Sequence, residues 1–326
     1  MATEGGQAVW AGERAVVSDA GPGAASISDL FTLMTITGTI VLVIFCGLLL
    51  YGLLHRRGRA ARRPTPVEEQ RRTRWIVILG GVVPTLVLLP ILGYTMYTLD
   101  ANDPGGRTPD LVVEVTGRQW WWEYRYLDPD PARVFRTANE LHVPVGRRVE
   151  LRLTSVDVIH SFWVPSLQGK MDLIPGRVNV TWLEATRPGE YGGQCAEYCG
   201  LQHARMGLLV VAQPADEFEA WAARQRASAA APRDSLTLAG QRAFEEAACS
   251  LCHTIRGTRA GGLAGPDLTH VAGRRTLAAG VVPNSPGHLA GWVANPDALK
   301  PGTRMPRVPM SPDAFRLMRH YLATLR

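Results

Sequence analysis

Residues 193–207 read GQCAEYCGLQHARMG. Two thiols, an imidazole and a thioether (Cys195, Cys199, His203 and Met206) fall within twelve residues of this one loop. The Cys-x3-Cys spacing differs from the Cys-x2-Cys of zinc ribbons and thioredoxin-like pairs. Thiolate, imidazole and thioether are soft donors, a set that selects copper over magnesium, calcium or manganese. Such a set needs a second imidazole, and His160 stands 35 residues upstream, just before the apolar segment SFWVP. The same two thiols also suit a disulfide in an oxidising compartment.

Around the loop the chain alternates in short strands. LVVEVTG, QWWWEYRY, RVELRLTS, SFWVP, RVNVTWLEA and GLLVVA are separated by Gly, Pro and Asp turns. That spacing predicts a Greek-key β sandwich. A helix at Pro214–Arg226 closes it. Alternate residues of a strand face inward, so Trp121 and Trp122 read equally well as core.

Upstream lie two charge-free apolar runs, Leu30–Leu54 and Trp75–Leu99, of 25 residues each. A membrane-spanning helix needs roughly 20. Between them residues 55–74 hold eight Arg against two Glu, a net of +6 and as much as the whole chain carries. A short Arg-rich loop is retained in the cytoplasm. The pair therefore predicts a transmembrane hairpin with both ends and all that follows on the outer face. Located in this way, the basic balance is a topology signal and not a nucleic-acid stripe. Residues 1–26 lack the basic start and apolar core of a signal peptide and are expected as a tail. Pro84 and Pro90 inside the second run hint at neighbouring helices that satisfy freed carbonyls.

The whole chain is 326 residues, 46% hydrophobic and 20% charged, with mean hydropathy near zero. Disorder and a purely membrane-embedded protein are both excluded. The length implies two or three units. Gly and Pro are abundant but aperiodic, which excludes collagen.

The spacing His160 … Cys195-x-Glu197-x-Cys199-x3-His203-x2-Met206 resembles the dinuclear copper (CuA) motif of cytochrome c oxidase subunit II. The preceding SFWVPSLQGKMDLIPGRVN is similar to that family's stretch before the copper loop, and the match covers roughly residues 27–215. The resemblance implies a two-helix hairpin followed by a cupredoxin-like sandwich. It implies that Cys195 and Cys199 bridge two coppers, that His160 and His203 each ligate one, and that Met206 and the Glu197 carbonyl are weak axial ligands. By the same resemblance the Glu197 side chain binds magnesium at the boundary with subunit I, and electrons enter at Trp120. One departure stands out. The family often places a Glu three residues ahead of the Trp that opens the second span, at a proton-uptake entrance. Here that position is Arg72, with Glu68 and Glu69 the nearest carboxylates.

Past Arg226, the segment ASAAAPRDS reads as a linker. Beyond it Cys249-Ser-Leu-Cys252-His253 is the haem c attachment pattern: two thioethers reach one haem edge while the adjacent His turns to the iron. GPDLTHVAGR (265–274) and NPDALKPGTRMP (295–306) resemble class I cytochromes c, which implies Met305 as the sixth iron ligand opposite His253. Met310 and Met318 are the competing sulfurs, with Met318 expected inside the last helix. Helices are expected over Leu236–Ala247 and after the Ser311-Pro312-Asp313 start signal. Phe315, Met318 and Leu322 should face inward, and Gly240 and Phe244 should meet the last helix around Tyr321.

The expected organisation is a tail (1–26), a transmembrane hairpin (27–99), a cupredoxin dinuclear copper domain (100–226), a linker (227–234) and a small all-α cytochrome c domain (235–326). Together these resemblances imply the subunit through which electrons enter a caa-type oxidase. Its partners would be subunit I, with a-type haems and copper B, and subunit III. Its donor would be a quinol–cytochrome c reductase or a soluble cytochrome c. A copper-containing nitric oxide reductase subunit and a stand-alone membrane-anchored carrier are the rival readings. We expect Met206→Leu to shift the copper signal and leave the haem spectrum intact, measured on one purified sample; joint loss of both signals would mean that the two domains do not fold independently.

Overall fold

The computed structural model describes residues 12–55, 65–103, 105 and 108–326. Residues 1–11 of the expected tail and 56–64 of the Arg-rich loop lie outside the described residues. The chain packs as two compact units, Ala25–Asp103 on one hand and Met1–Ala24 with Pro104–Arg326 on the other.

The first unit is helical. Helix α1 covers Pro22–His55, so it starts inside the segment expected as a tail. Helix α2 (Pro66–Val77), a π-helical turn (Ile78–Val82) and α3 (Val83–Ala101) follow one another without a break. The two continuous stretches are 34 and 36 residues long, well beyond the roughly 20 that span hydrocarbon. Their apolar side chains are exposed all round, as in a helix solvated by lipid, and they anchor the chain to a membrane. Pro84 lacks an N–H, and the π turn just ahead of it absorbs the break in the hydrogen-bond ladder. Glu68 serves as a helix cap: its carboxylate accepts the Thr65 N–H at 2.8 Å, and Thr65 Oγ1 accepts the Glu68 N–H at 3.4 Å. At the opposite end Asn102 Nδ2 donates to Ser26 Oγ at 2.8 Å, tying α3 to α1.

The second unit opens with a ten-stranded sandwich. Its strands are β1 (Leu111–Arg118), β2 (Trp121–Leu127), β3 (Phe135–Ala138), β4 (Glu140–Pro144), β5 (Val149–Ser155), β6 (His160–Trp163), β7 (Met171–Leu173), β8 (Asn179–Leu183), β9 (Gly189–Cys195) and β10 (Gly207–Gln213). They form two sheets, ordered β3-β2-β1-β5-β8 and β4-β10-β9-β6-β7. The pairs β1/β5 and β4/β10 are parallel, which marks where the chain crosses between hairpins. Trp122, Tyr124 and Tyr126 alternate into the core from β2, each worth roughly 1.5–3 kcal/mol of burial. Trp121 faces outward under the Arg118 guanidinium. Strands β3, β4, β7 and β9 escape the alternation pattern, because β3 and β4 bury Thr137, Glu140 and His142 and β9 is glycine-rich.

The stretch from residue 12 to Ala24 is structured. Glu13 donates to Glu190 O at 2.7 Å and accepts from Gly192 N at 3.0 Å. It covers the part of β9 that β6 leaves unpaired. Helix α4 (Ala215–Arg226) then packs Phe218 and Trp221 onto the sandwich, with Trp221 stacked on His142 at 4.1 Å.

The last domain contains α5 (Ser235–Glu246), α6 (Cys249–Cys252), α7 (Pro286–Ala294), α8 (Pro296–Leu299) and α9 (Pro312–Thr324). Asp234 and Ser311 cap α5 and α9. To the two expected helices, α5 and α9, the structure adds α6, α7 and α8 and one short ladder, β11 (Thr276–Leu277) with β12 (Val282–Pro283). The segment 227–234 runs along this domain: Ala229 N–H donates to Arg256 O at 2.9 Å, and His270 Nε2 lies 3.1 Å from Ala227 O. Helices α5 and α9 cross at Gly240, where a Cβ would stand 2.3 Å from Leu317 O and 2.7 Å from Tyr321 Cβ. Gly240→Ala is therefore expected to destabilise the C-terminal domain by about 1–3 kcal/mol, the usual range for overpacking. Denaturant unfolding followed by the haem band measures it.

Candidate metal centres

The copper-type loop hangs between β9, which ends at Cys195, and β10, which begins at Gly207. Its base is pinned by Cys195 N–H to Met206 O at 2.9 Å and Ala196 N–H to Ser161 O at 2.9 Å. Strand β6 starts at His160 and presents that ring to the loop. The donor atoms converge. Cys195 Sγ lies 3.8 Å from Cys199 Sγ, 3.8 Å from His160 Nδ1 and 3.2 Å from the Glu197 carbonyl. Cys199 Sγ lies 3.7 Å from His203 Nδ1 and 3.8 Å from Met206 Sδ. Each thiol thus has one imidazole of its own, and the two His and Met206 gather round the two sulfurs in one cluster. Cys195, Cys199, His160 and Met206 are buried; His203 and Glu197 are partly exposed.

The electrostatics suit metal binding. The hydrogen bond with Cys199 holds the Cys195 thiol well below the usual thiol range, and the same pairing pushes Cys199 up. A metal takes thiolates, so its uptake releases whatever protons the two sulfurs carry. His160 Nε2 is held by Asp157 at 2.8 Å, which leaves Nδ1 for a metal. Burial opposes the Asp157 charge, but hydrogen bonds from His160 and from the Gln119 N–H win and bring it to about 2. Gly117 is required beside this pair, since a Cβ there would stand 2.7 Å from His160 Cδ2. Neither Asp157 nor Gly117 was singled out from the sequence; the usable signal was an acid three residues ahead of a ligating His. The buried soft donors fit copper. The Glu197 carboxylate belongs to no cluster of ligating groups among the described residues.

The second site is a cavity of about 360 Å³ lined by Cys252, His253 and Met305 together with apolar Leu268, Val271 and Leu289. His253 Nδ1 lies 2.8 Å from Pro266 O, so Nε2 is left for iron. Burial lowers the His253 pKa and keeps the ring neutral. Gly265 lets the ring lie flat against the backbone, because a Cβ would meet His253 Cε1 at 2.6 Å. Cys249 is half-buried, 4.0 Å from Met318 Sδ. Met318 is buried in the helical core and Met310 packs against it, so Met305 is the methionine of the three that lines the cavity. A neutral His, two thiols at the attachment spacing and an apolar cavity fit a covalent haem.

Gln119, Trp120 and Trp121 also line this cavity, from the sandwich side. Trp120 is 9% exposed, and its indole N–H donates to Cys199 O at 3.0 Å, beside Gln119 Nε2 at 2.7 Å. One residue therefore touches both centres.

Sandwich, soft-donor loop and haem cavity together define a membrane-anchored electron-transfer protein made of a cupredoxin-like domain and a cytochrome c domain. The family described as "Cytochrome C oxidase subunit II, periplasmic domain" matches residues 111–213, and "Cytochrome c" matches residues 238–326. The chain is 34% identical over 311 residues to cytochrome c oxidase subunit 2 of Alkalihalophilus pseudofirmus, covering 94% of this chain and 89% of the relative. It is 31% identical to that of Bacillus subtilis, covering 86% and 84%. A solved periplasmic domain of subunit II of cytochrome oxidase from Bradyrhizobium japonicum is 35% identical over 37% of this chain and 96% of its own, with a TM-score of 0.35. The chain belongs to the cytochrome c oxidase subunit 2 family, and a cytochrome c domain follows its copper domain.

Asp157→Asn is expected to weaken copper binding about 10- to 100-fold, the usual effect of removing a partner that orients a ligating His; chelator competition measures it. The pH dependence has a definite sign. A carboxylate depressed in the folded state adds stability above its unfolded value, and loses it as pH falls toward about 2. Acid unfolding of Asp157→Asn should lack that component.

Proposed function

We propose that this chain is the subunit through which electrons enter a respiratory haem–copper terminal oxidase. Electrons reach the C-terminal domain first, the copper loop second and the a-type haems of a subunit I last. Dioxygen reduction to water and the coupled proton translocation belong to that partner, with copper B and a neighbouring subunit III. The donor is a quinol–cytochrome c reductase or a soluble cytochrome c. When bound, a covalent haem and a copper centre would supply one-electron transfer.

The residues of the chain hold and tune these groups. Cys249 and Cys252 would attach the haem, and His253 and Met305 would hold its iron, a combination that raises the haem potential. Cys195, Cys199, His160 and His203 would hold the copper, with Met206 and the Glu197 carbonyl as weaker donors. Asp157 keeps His160 in the ligating tautomer. The Glu197 carboxylate takes magnesium jointly with subunit I. The hairpin sits in a bacterial cell membrane with the Arg-rich segment in the cytoplasm and both termini outside. We keep 100–226 and 235–326 as the two functional domains.

One observation carries the reading: Trp120 lines the haem cavity and donates to Cys199 of the copper loop at 3.0 Å. The test is a reduced-minus-oxidised spectrum of the chain purified from its native membrane in mild detergent. An a-type band beside the c-type band supports the oxidase; a c-type band with b-type haem alone, or with no partner, overturns it. Trp120→Phe should slow single-turnover transfer from the C-terminal domain to the copper loop and leave both absorption signatures in place.

A further inference from the structure

Two buried ionisable side chains cross the contact between sandwich and C-terminal domain in opposite directions. Glu140 of β4, 3% exposed, accepts the N–H groups of Arg275 at 2.6 Å and Thr276 at 3.1 Å. Lys300, 2% exposed and just past α8, reaches back. Its Nζ donates to Trp120 O in the sandwich at 2.7 Å and to Ala278 O in its own domain at 2.9 Å. Both acceptors are backbone carbonyls. Lysine is almost never fully buried unless paired, and burying its ammonium costs several kcal/mol. A methionine would fill similar space without that cost, so the two N–H groups that Lys300 donates have a use at this position.

That use follows from what Trp120 does on its other sides. Its ring lines the haem cavity with Met305, five residues past Lys300, and its indole N–H is bound to Cys199 O. Lys300 holds the third point, the carbonyl. Neighbouring bonds set the same register: Gln202 Nε2 to Pro301 O at 2.6 Å, Arg205 Nη1 to Leu299 O at 3.1 Å, and Arg304 to Gln119. Gln202 is buried too, while Arg205 is partly exposed and Arg304 exposed. Lys300 alone among them combines near-complete burial with a grip on the residue that touches both centres.

We propose that Lys300 is the positioning residue of electron transfer between the two domains, fixing Trp120 against the haem cavity while Trp120 stays bonded to the copper loop. The inference rests on the relay reading above. Lys300 lines the haem cavity beside Trp120 and belongs to neither set of ligating residues; it acts through its bond to the Trp120 carbonyl. Its loss leaves both centres assembled and makes the docked arrangement rarer.

The experiment uses the full-length chain in detergent, unaltered and as Lys300→Met and Lys300→Gln. Three readings are taken: haem and copper content with their spectra, single-turnover transfer from the C-terminal domain to the copper loop, and amide exchange at Gly207. The Gly207 N–H donates to Ala279 O across the contact at 3.2 Å and so reports docking without either cofactor. Lys300→Met should keep both spectra, slow transfer about tenfold, the weight of one charge-assisted hydrogen bond, and speed exchange at Gly207. Lys300→Gln retains an N–H donor and should recover part of the rate. A Lys300→Met rate within twofold of the unaltered chain overturns the proposal, as does failure of both variants to assemble, which would assign Lys300 to folding. Absence of transfer in the unaltered chain would sink the relay reading instead.

Discussion

The carbonyl of Cys199 accepts two hydrogen bonds from the turn between β1 and β2, one from the Trp120 indole and one from Gln119. The rest of the functional architecture hangs on that point. A metal loop eleven residues long would be free to fold back on itself. Here its middle is tied to a rigid sandwich, and its ends are fixed by the ladder between β9 and β10. The donors then face one another without strain being taken up by the metal. Because the tie is made by Trp120, the wall of the haem cavity is fixed by the same bond.

The contact between the two outer domains is built differently from a transient collision complex. A basic C-terminal domain on a flexible tether would meet a less basic sandwich often, through high effective concentration alone. The structure instead buries Lys300 and Glu140 within the contact and adds an Arg275–Glu190 ion pair at 2.6 Å. Buried charges with fully satisfied hydrogen bonds give little net stability, and they penalise every misregistered arrangement. That trade favours one pose over many, which suits a step whose rate depends on distance.

The N-terminal segment serves the same end. Residues from 12 onward add a bridge to β9 at Tyr191 and reach Leu167, through the Ala24 N–H, at 3.1 Å. The edge of the sheet that carries Cys195 is thereby covered, so the strand leading into the copper loop has few unpaired groups along its length.

The sequence by itself determined the elements whose signals are local. Apolar runs of 25 residues, the Arg-rich stretch between them, the soft donors packed into 193–207 and the Cys-x-x-Cys-His attachment site are all short-range patterns. Local signals likewise predicted α4 and α5 to within a residue at each end, and the start of α9. They missed β3, β4, β7 and β9; in β3, β4 and β9 buried polar residues and glycines break the alternation. Residues 12–21 read as tail because their partners lie over 140 residues away. Asp157, Gly117, Glu140 and Lys300 were beyond its reach for the same reason. A lone acid, glycine or lysine carries no pattern, and its role exists only once the fold brings it to a ring or a carbonyl. Which residues ligate was written in local spacing. How the haem cavity meets Trp120, and what holds it there, was decided by tertiary packing, because only burial turns a single charge into a constraint.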